Sequence, residues 1–100
     1  MSQFIDRGAR SFTLFSVDQL RERALALVDA ELDRLRALGP QAVRALTGQH
    51  DDARDDLVVS TRVQQEDDRL LVLVEAWRGR RTLATGGFAM EPDGRTHTPH

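Results

Sequence analysis

The sequence predicts an α+β fold in which one long N-terminal helix and a short second helix pack on a three- to four-stranded antiparallel meander sheet. Apolar residues recur at helical spacing in the first half of the chain, and runs rich in Val, Leu and Thr follow in the second half. One hundred residues bury one core, so we expect a single domain over 1–100. It comprises an N-terminal arm or short strand at 1–15, a helical part at 16–48 and the sheet at 57–98.

The start of the long helix is predicted by two capping patterns. Gln19 follows Ser16 at the three-residue spacing of a capping box, in which both side chains bind free backbone N–H groups of the first turn. Phe15 before the cap and Leu20 after it fit a hydrophobic staple. We therefore expect the helix to begin at Ser16.

The rest of the helical part is predicted by an apolar stripe and by residues that end helices. The stripe consists of Val17, Leu20, Ala24, Val28, Leu32 and Leu35, widened by Leu25, Leu27 and Leu38. Gly39 and Pro40 end this helix after about 22 residues, because glycine accepts a left-handed cap and proline cannot continue a helix. The segment Pro40–Thr47, closed by Gly48, predicts the short second helix.

Three extended runs predict the sheet. The polar segment Gln49–Asp56 is expected to be a connection, and after it the strands are predicted at Leu57–Gln65, Arg69–Trp77 and Thr82–Met90. The intervening "EDDR" and "RGRR" are short enough for hairpin turns. The stretch "EPDG" fits a type I turn with a glycine bulge, so "RTHT" is expected to form a brief fourth strand.

Both faces of the predicted sheet are apolar. Side chains of a strand alternate between its faces. In the second strand one set is Leu70, Val72, Val74 and Ala76, and the other is Leu71, Leu73 and Trp77. The long helix covers one face only, so the other needs the N-terminal segment or a second copy of the chain. The N-terminal segment offers Phe4, Ile5, Phe12 and Leu14, with a possible strand "SFTLF".

We favour a homodimer as the cover of the second face. The expected interface comprises Leu71, Leu73, Trp77, Phe88 and Met90. Gly86 and Gly87 predict a bulge or a close backbone approach in the third strand. Phe88 and Met90 share one face of the strand, and the length of the turn at "RGRR" decides which face it is. A two-residue turn would place both residues on one side of the sheet and a three-residue turn on the other. The sequence leaves that choice open.

The segment around "WRGRR" has two interpretations. Arg78, Arg80 and Arg81 around Gly79 could hold a phosphate or carboxylate, and Trp77 could stack on a base. The alternative, which we favour, is a solvated hairpin turn whose glycine supplies a positive φ. No glycine-rich phosphate motif is present in the sequence.

Metal and catalytic patterns are weak. The "HDD" at His50 and the "HTPH" ending at His100 lack the spacing that surrounds an ion, so we expect no metal and no cofactor. Catalysis would require Ser60, Thr61 or Thr85 to meet His50 or His97. Glu75 lies in the most apolar strand, where burial would raise its pKa, and its expected alternative is an ion pair with Arg62 or simple exposure.

Composition narrows the class of protein. The chain has a formal charge of −2, which disfavours nucleic acid as a partner. It contains no cysteine, and all 14 basic residues are arginine, which is typical of a GC-rich bacterial genome. No apolar run reaches the roughly 20 residues of a membrane span, and the polar start does not resemble a signal peptide, so we expect a cytoplasmic protein.

The sequence therefore predicts a small non-enzymatic accessory or protein-interaction protein, homodimeric and bacterial. One alternative is a small-ligand binder or enzyme whose pocket lies between helix and sheet, with Glu75 and Arg62 as its polar groups. The other is a nucleic-acid or phosphate binder that uses Trp77 with Arg78, Arg80 and Arg81.

Overall fold

A computed structural model describes residues 8–98 of the chain and the side chains from residue 18 onward. It contains two helices and one antiparallel sheet of five strands whose order in the sheet follows the chain. The elements are α1 (Gly8–Leu38), α2 (Pro40–Arg44), β1 (Gly48–Arg54), β2 (Leu57–Glu66), β3 (Arg69–Arg78), β4 (Arg81–Met90) and β5 (Thr96–His97). The predicted α+β class with a meander sheet is confirmed, with more strands than the three or four expected.

The long helix begins earlier than the capping residues predicted. It starts at Gly8 and passes without a break through Phe15 and Ser16, so the expected start at Ser16 is wrong. The arm or short strand expected before it, including "SFTLF", is helical from residue 8 onward. A capping motif permits a helix to begin but does not compel it, and no proline interrupts residues 8–38. Phe4 and Ile5 lie outside the described residues.

The predicted end of the long helix is confirmed. Helix α1 stops at Leu38, and Gly39 follows with a φ of 86°, a conformation that favours glycine. Pro40 is the first residue of α2. Proline is tolerated there because a backbone N–H at the first position of a helix would have no acceptor within the helix. Helix α2 is shorter than expected: it ends at Arg44, and Thr47 N–H closes a turn by donating to Arg44 O at 3.1 Å.

The polar segment after α2 is a strand, which corrects the expected connection at Gln49–Asp56. Strand β1 pairs with β2 over its whole length, from Gly48 opposite Val63 to Arg54 opposite Leu57, and all of its residues are exposed. The hairpin turns at Asp55, whose φ is 59°. Backbone pairing with β2 holds this strand, because its polar side chains add little packing.

The remaining strands agree with the prediction, and a bulge sets the register between two of them. Trp77 pairs with Thr82 but Ala76 pairs with Ala84, so Leu83 is an extra residue on β4. The brief last strand is also present, with Met90 opposite Thr96. Its turn is the predicted one: Gly94 has a φ of 92°, and its N–H donates to Glu91 O at 2.9 Å.

The core lies between the helices and one face of the sheet, which we call the inner face. Its fully or almost fully buried residues are Ala24, Val28, Leu32, Leu35, Val43, Leu57, Val59, Val63, Leu70, Val72, Val74, Ala76, Phe88 and Met90. The lack of a side chain at Gly86 lets α1 pack close to β4, because a Cβ there would lie 2.9 Å from Leu32 Cδ1 and 3.2 Å from Val28 Cγ1. The close approach at Gly86 is thus to side chains of α1, whereas the expected close backbone approach is at Gly87, where a Cβ would lie 2.5 Å from Val72 O.

Candidate protein interface on the outer sheet face

The opposite side of the sheet, the outer face, carries an apolar ridge along β3. Residues paired across neighbouring strands share a face, so the register defines the outer set. That set comprises Gln49, Asp51, Ala53, Val58, Ser60, Arg62, Gln64, Leu71, Leu73, Glu75, Trp77, Thr82, Thr85, Gly87 and Ala89. The ridge consists of Leu71, Leu73 and Trp77, with Val58 beside Trp77, and all four are half-buried.

No helix covers this ridge in the described part of the chain. The buried residues of α1 and α2 belong to the single core cluster on the inner face. Three of the five residues expected in a dimer interface, Leu71, Leu73 and Trp77, do lie on the outer face. The other two do not, because Phe88 pairs with Val72 and Met90 with Leu70, at 1% and 0% exposure.

A shallow open groove crosses the outer face beside the ridge. Its volume is about 470 Å³. The residues that line it are Arg62, Gln64, Leu71, Val72, Leu73, Thr85, Gly86, Gly87, Phe88 and Thr98. The missing side chain of Gly87 leaves this space next to Leu73, with which it pairs. The groove offers apolar contact at Leu71 and Leu73 of β3, and hydrogen-bonding groups on both sides of them, at Arg62 and Gln64 of β2 and at Thr85 of β4.

Arg62 and Glu75 also lie on the outer face. The Nη2 group of Arg62 donates to Oε1 of Gln49 at 3.4 Å, and the indole N–H of Trp77 donates to Oε1 of Glu75 at 3.3 Å. Both side chains are therefore on the side of the sheet away from the helices. This corrects the alternative in which they line a pocket between helix and sheet.

The arginine segment forms a tight hairpin turn. Arg78 pairs with Arg81, leaving Gly79 and Arg80 as the two turn residues, and Gly79 has a φ of 62°. Arg78 Nε lies 3.9 Å from Oδ2 of Asp56, which lies in the turn between strands β1 and β2. These contacts place Arg78 beside an acidic group and leave the tip of the hairpin exposed.

The candidate catalytic residues are split between the two faces. Ser60 and Thr85 pair with Glu75 on the outer face, whereas Thr61 pairs with His50 on the inner face. The side chains of Thr61 and His50 form hydrogen bonds with other residues and not with each other. Thr61 Oγ1 donates to Glu31 Oε2 at 3.2 Å, and His50 Nε2 lies 2.8 Å from Leu46 O.

The histidines of the two weak metal patterns are placed differently. His97 Nε2 lies 2.7 Å from Glu91 Oε2, His50 contacts Leu46 O as above, and His100 lies outside the described residues. Among residues 8–98, no three side chains of the metal-binding types come close enough together to hold an ion.

A polar cleft that the sequence did not predict lies between α1 and strands β1 and β2. It encloses about 250 Å³ and is lined by Glu31, Arg34, His50, Asp52, Arg54, Val59 and Thr61. Glu31 has only 13% of its side chain exposed and accepts two hydrogen bonds from Arg34, at 3.0 Å and 2.7 Å. The hydrogen bond from Arg34 lowers the pKa of Glu31 from 4.5 against the opposing effect of burial.

Glu31 should make stability depend on pH. Because its pKa is lower in the folded than in the unfolded chain, its contribution is present above about 4.5 and is lost as the pH falls through the folded value. We expect Glu31→Gln to lower the free energy of unfolding most at neutral pH, with a difference from the wild type that shrinks in acid. Urea unfolding at a series of pH values measures it.

Arg34→Gln provides the matched control for this prediction. It removes the main cause of the shifted pKa of Glu31, so its difference from the wild type should shrink in acid in the same way. A difference that stays constant with pH for both variants would contradict this role for Glu31.

Comparison with protein-family models, with curated proteins and with solved structures found no match for this chain. Within the described residues, neither helix combines the length and apolar character that crossing a bilayer requires.

Proposed function

We propose that this chain is a non-catalytic protein-interaction protein that acts as a homodimer through the outer face of its sheet. The observation that carries the proposal is the ridge of Leu71, Leu73 and Trp77, half-buried on a face that no described helix covers. Aromatic residues are enriched and charged residues depleted at the centres of protein interfaces. The arginine-only basic composition supports a bacterial origin for it, and we propose a cytoplasmic location.

The size of the outer face supports this use. Strands β2, β3 and β4 have ten residues each and β1 has seven. At roughly 3.3 Å per residue and 4.8 Å between strands, they present about 600 Å² in projection. Side chains enlarge the accessible area beyond that projection, and each partner in a standard interface buries about 800 Å². One sheet face is thus sufficient for a specific dimer.

The arginine hairpin supports a binding function less well. Arg78 is close to Asp56, and Asp56 also accepts a hydrogen bond from Arg23 Nη2 at 2.5 Å, which lowers the pKa of Asp56. This acidic group reduces the positive field at Arg78, one of the three arginines that could hold a phosphate. The formal charge of −2 acts in the same direction.

Light scattering tests the proposed homodimer. We expect the wild type to have twice the 11.2 kDa chain mass at micromolar concentration. Leu73→Asp places a charge at the centre of the ridge, so it should raise the dissociation constant at least about tenfold. The control is Leu25→Asp, because Leu25 is 50% exposed on α1 and lies away from the outer face.

Circular dichroism distinguishes loss of association from loss of folding, since both variants should keep the helical signal of α1. A monomeric wild type, or a Leu25→Asp variant that dissociates as readily as Leu73→Asp, would contradict the proposal. In the first case the groove beside Leu73 becomes the place to search for a small ligand.

A further inference from the structure

Arg62 and Glu75, two residues of opposite charge, lie close to the centre of the ridge on the outer face. Arg62 pairs directly with Leu73 across β2 and β3. Glu75 lies two residues further along β3, where it pairs with Ser60. Arg62 is exposed and Glu75 is half-buried, so both reach the surface of the face. Each of them stands next to the apolar residues through which the homodimer is proposed to form.

We infer that the homodimer is isologous and that Arg62 of each copy binds Glu75 of the other. This inference rests on the proposed homodimer. In an isologous pair the same patch meets itself, so residue i contacts j and j contacts i. A two-fold axis that lies in the plane of the interface and is the perpendicular bisector of the line from Arg62 to Glu75 places these two residues opposite each other twice. Leu73, between them, then packs near the axis.

The charges favour this arrangement over other superpositions of the same two faces. If the axis passed through Arg62 or through Glu75, that residue would meet its own copy, and like charges at close range are unfavourable. Asp51, also on the outer face, lies beside Ser60 on β1 at the edge of the sheet, away from the ridge. The charges of Arg62 and Glu75 therefore favour a superposition in which each of them meets the other residue type of the second copy.

Hydrogen bonds within one chain orient the carboxylate of Glu75 and the guanidinium of Arg62 on the outer face. The indole N–H of Trp77 holds Oε1 of Glu75 on the outer face. Oε1 of Gln49 accepts one long hydrogen bond, of 3.4 Å, from the guanidinium group of Arg62. A guanidinium carries five N–H donors in a planar fork, so further donors face a carboxylate that approaches from above the sheet.

Charge reversal tests the inference. Arg62→Glu and Glu75→Arg, each alone, make like charges meet twice in the dimer, and we expect each to raise the dissociation constant at least about tenfold. The double variant Arg62→Glu with Glu75→Arg restores both pairs. An equimolar mixture of the two single variants does the same, because one copy then carries only glutamate and the other only arginine at these positions.

The mixture separates pairing between copies from pairing within one chain. Arg62 and Glu75 are diagonal neighbours on adjacent strands, so the double variant alone could also restore a contact within the chain. The mixture cannot do so, since each single variant carries two like charges within its own chain. Light scattering and sedimentation of the single variants, their mixture and the double variant measure the dissociation constants.

Arg80→Glu is the matched control, because it makes the same change of charge at the exposed tip of the hairpin. It should leave the dissociation constant within about twofold of the wild type. Dimerisation of the wild type and of both single variants with equal affinity would overturn the inference and leave the homodimer intact. Single variants that stay apart in the mixture would also overturn it. A monomeric wild type would instead overturn the proposed function itself.

Discussion

We expect Phe88→Ala to lower the free energy of unfolding by about 3–5 kcal/mol, the range for truncating a buried phenylalanine. Phe88 is 1% exposed on the inner face, between strand β4 and helix α1. Its ring also faces the guanidinium of Arg36, with Cζ 5.0 Å from the ring centroid. The substitution would therefore leave a cavity in the core and remove a cation–π contact.

Urea unfolding at one fixed protein concentration measures this loss, because any association adds to the apparent stability. Leu71→Ala is the control, because Leu71 is a half-buried residue of the outer face. In the monomeric chain this substitution should lower the free energy of unfolding much less than Phe88→Ala does. A loss below about 1.5 kcal/mol for Phe88→Ala would contradict the inner position of Phe88.

The position of Phe88 shows why part of the fold could not be predicted from the sequence. The apolar runs identified the strands, but the face of each residue after the bulge depends on one extra residue at Leu83. With a continuous register from Trp77 opposite Thr82, Phe88 would pair with Leu71 on the outer face. The bulge moves it opposite Val72. Side-chain periodicity does not reveal a bulge, because both faces of this strand pair are apolar.

The early start of α1 and the presence of strand β1 departed from the sequence prediction for a similar reason. The cap at Ser16 was predicted from local side chains, whereas the helix continues to Gly8 because nothing in the backbone stops it. The polar sequence of Gln49–Asp56 predicts a connection, whereas the structure forms strand β1 there with all of its side chains exposed. Its hydrogen bonds to β2 involve the backbone, which composition does not describe. By contrast, Gly39 and Pro40 fixed the end of α1 through their own backbone restrictions, and that prediction was correct.

The candidate site was predictable to a similar degree. Alternation along one strand placed Leu71, Leu73 and Trp77 on a common face without knowledge of their neighbours. The polar cleft could not be found in this way, because Glu31 meets Thr61 across a sequence separation of 30 residues. The ion pair of Glu31 and Arg34 joins residues three positions apart on α1, and this spacing does not show what packs against the pair.

The closest backbone approach in the sheet should make Gly87 less replaceable than its neighbour. A Cβ at Gly87 would lie 2.5 Å from the carbonyl oxygen of Val72, a backbone atom that moves only if β3 and β4 separate. At Gly86 the nearest atom is Leu32 Cδ1 at 2.9 Å, the end of a side chain that can rotate. We expect Gly87→Ala to cost about 1–3 kcal/mol in urea unfolding and Gly86→Ala to cost less. Alanine also restricts the unfolded chain, which favours folding by about 0.4–1 kcal/mol where the native site accepts it. A Gly87→Ala variant as stable as the wild type would mean that the strands separate freely there, and the groove beside Leu73 would then be a flexible surface.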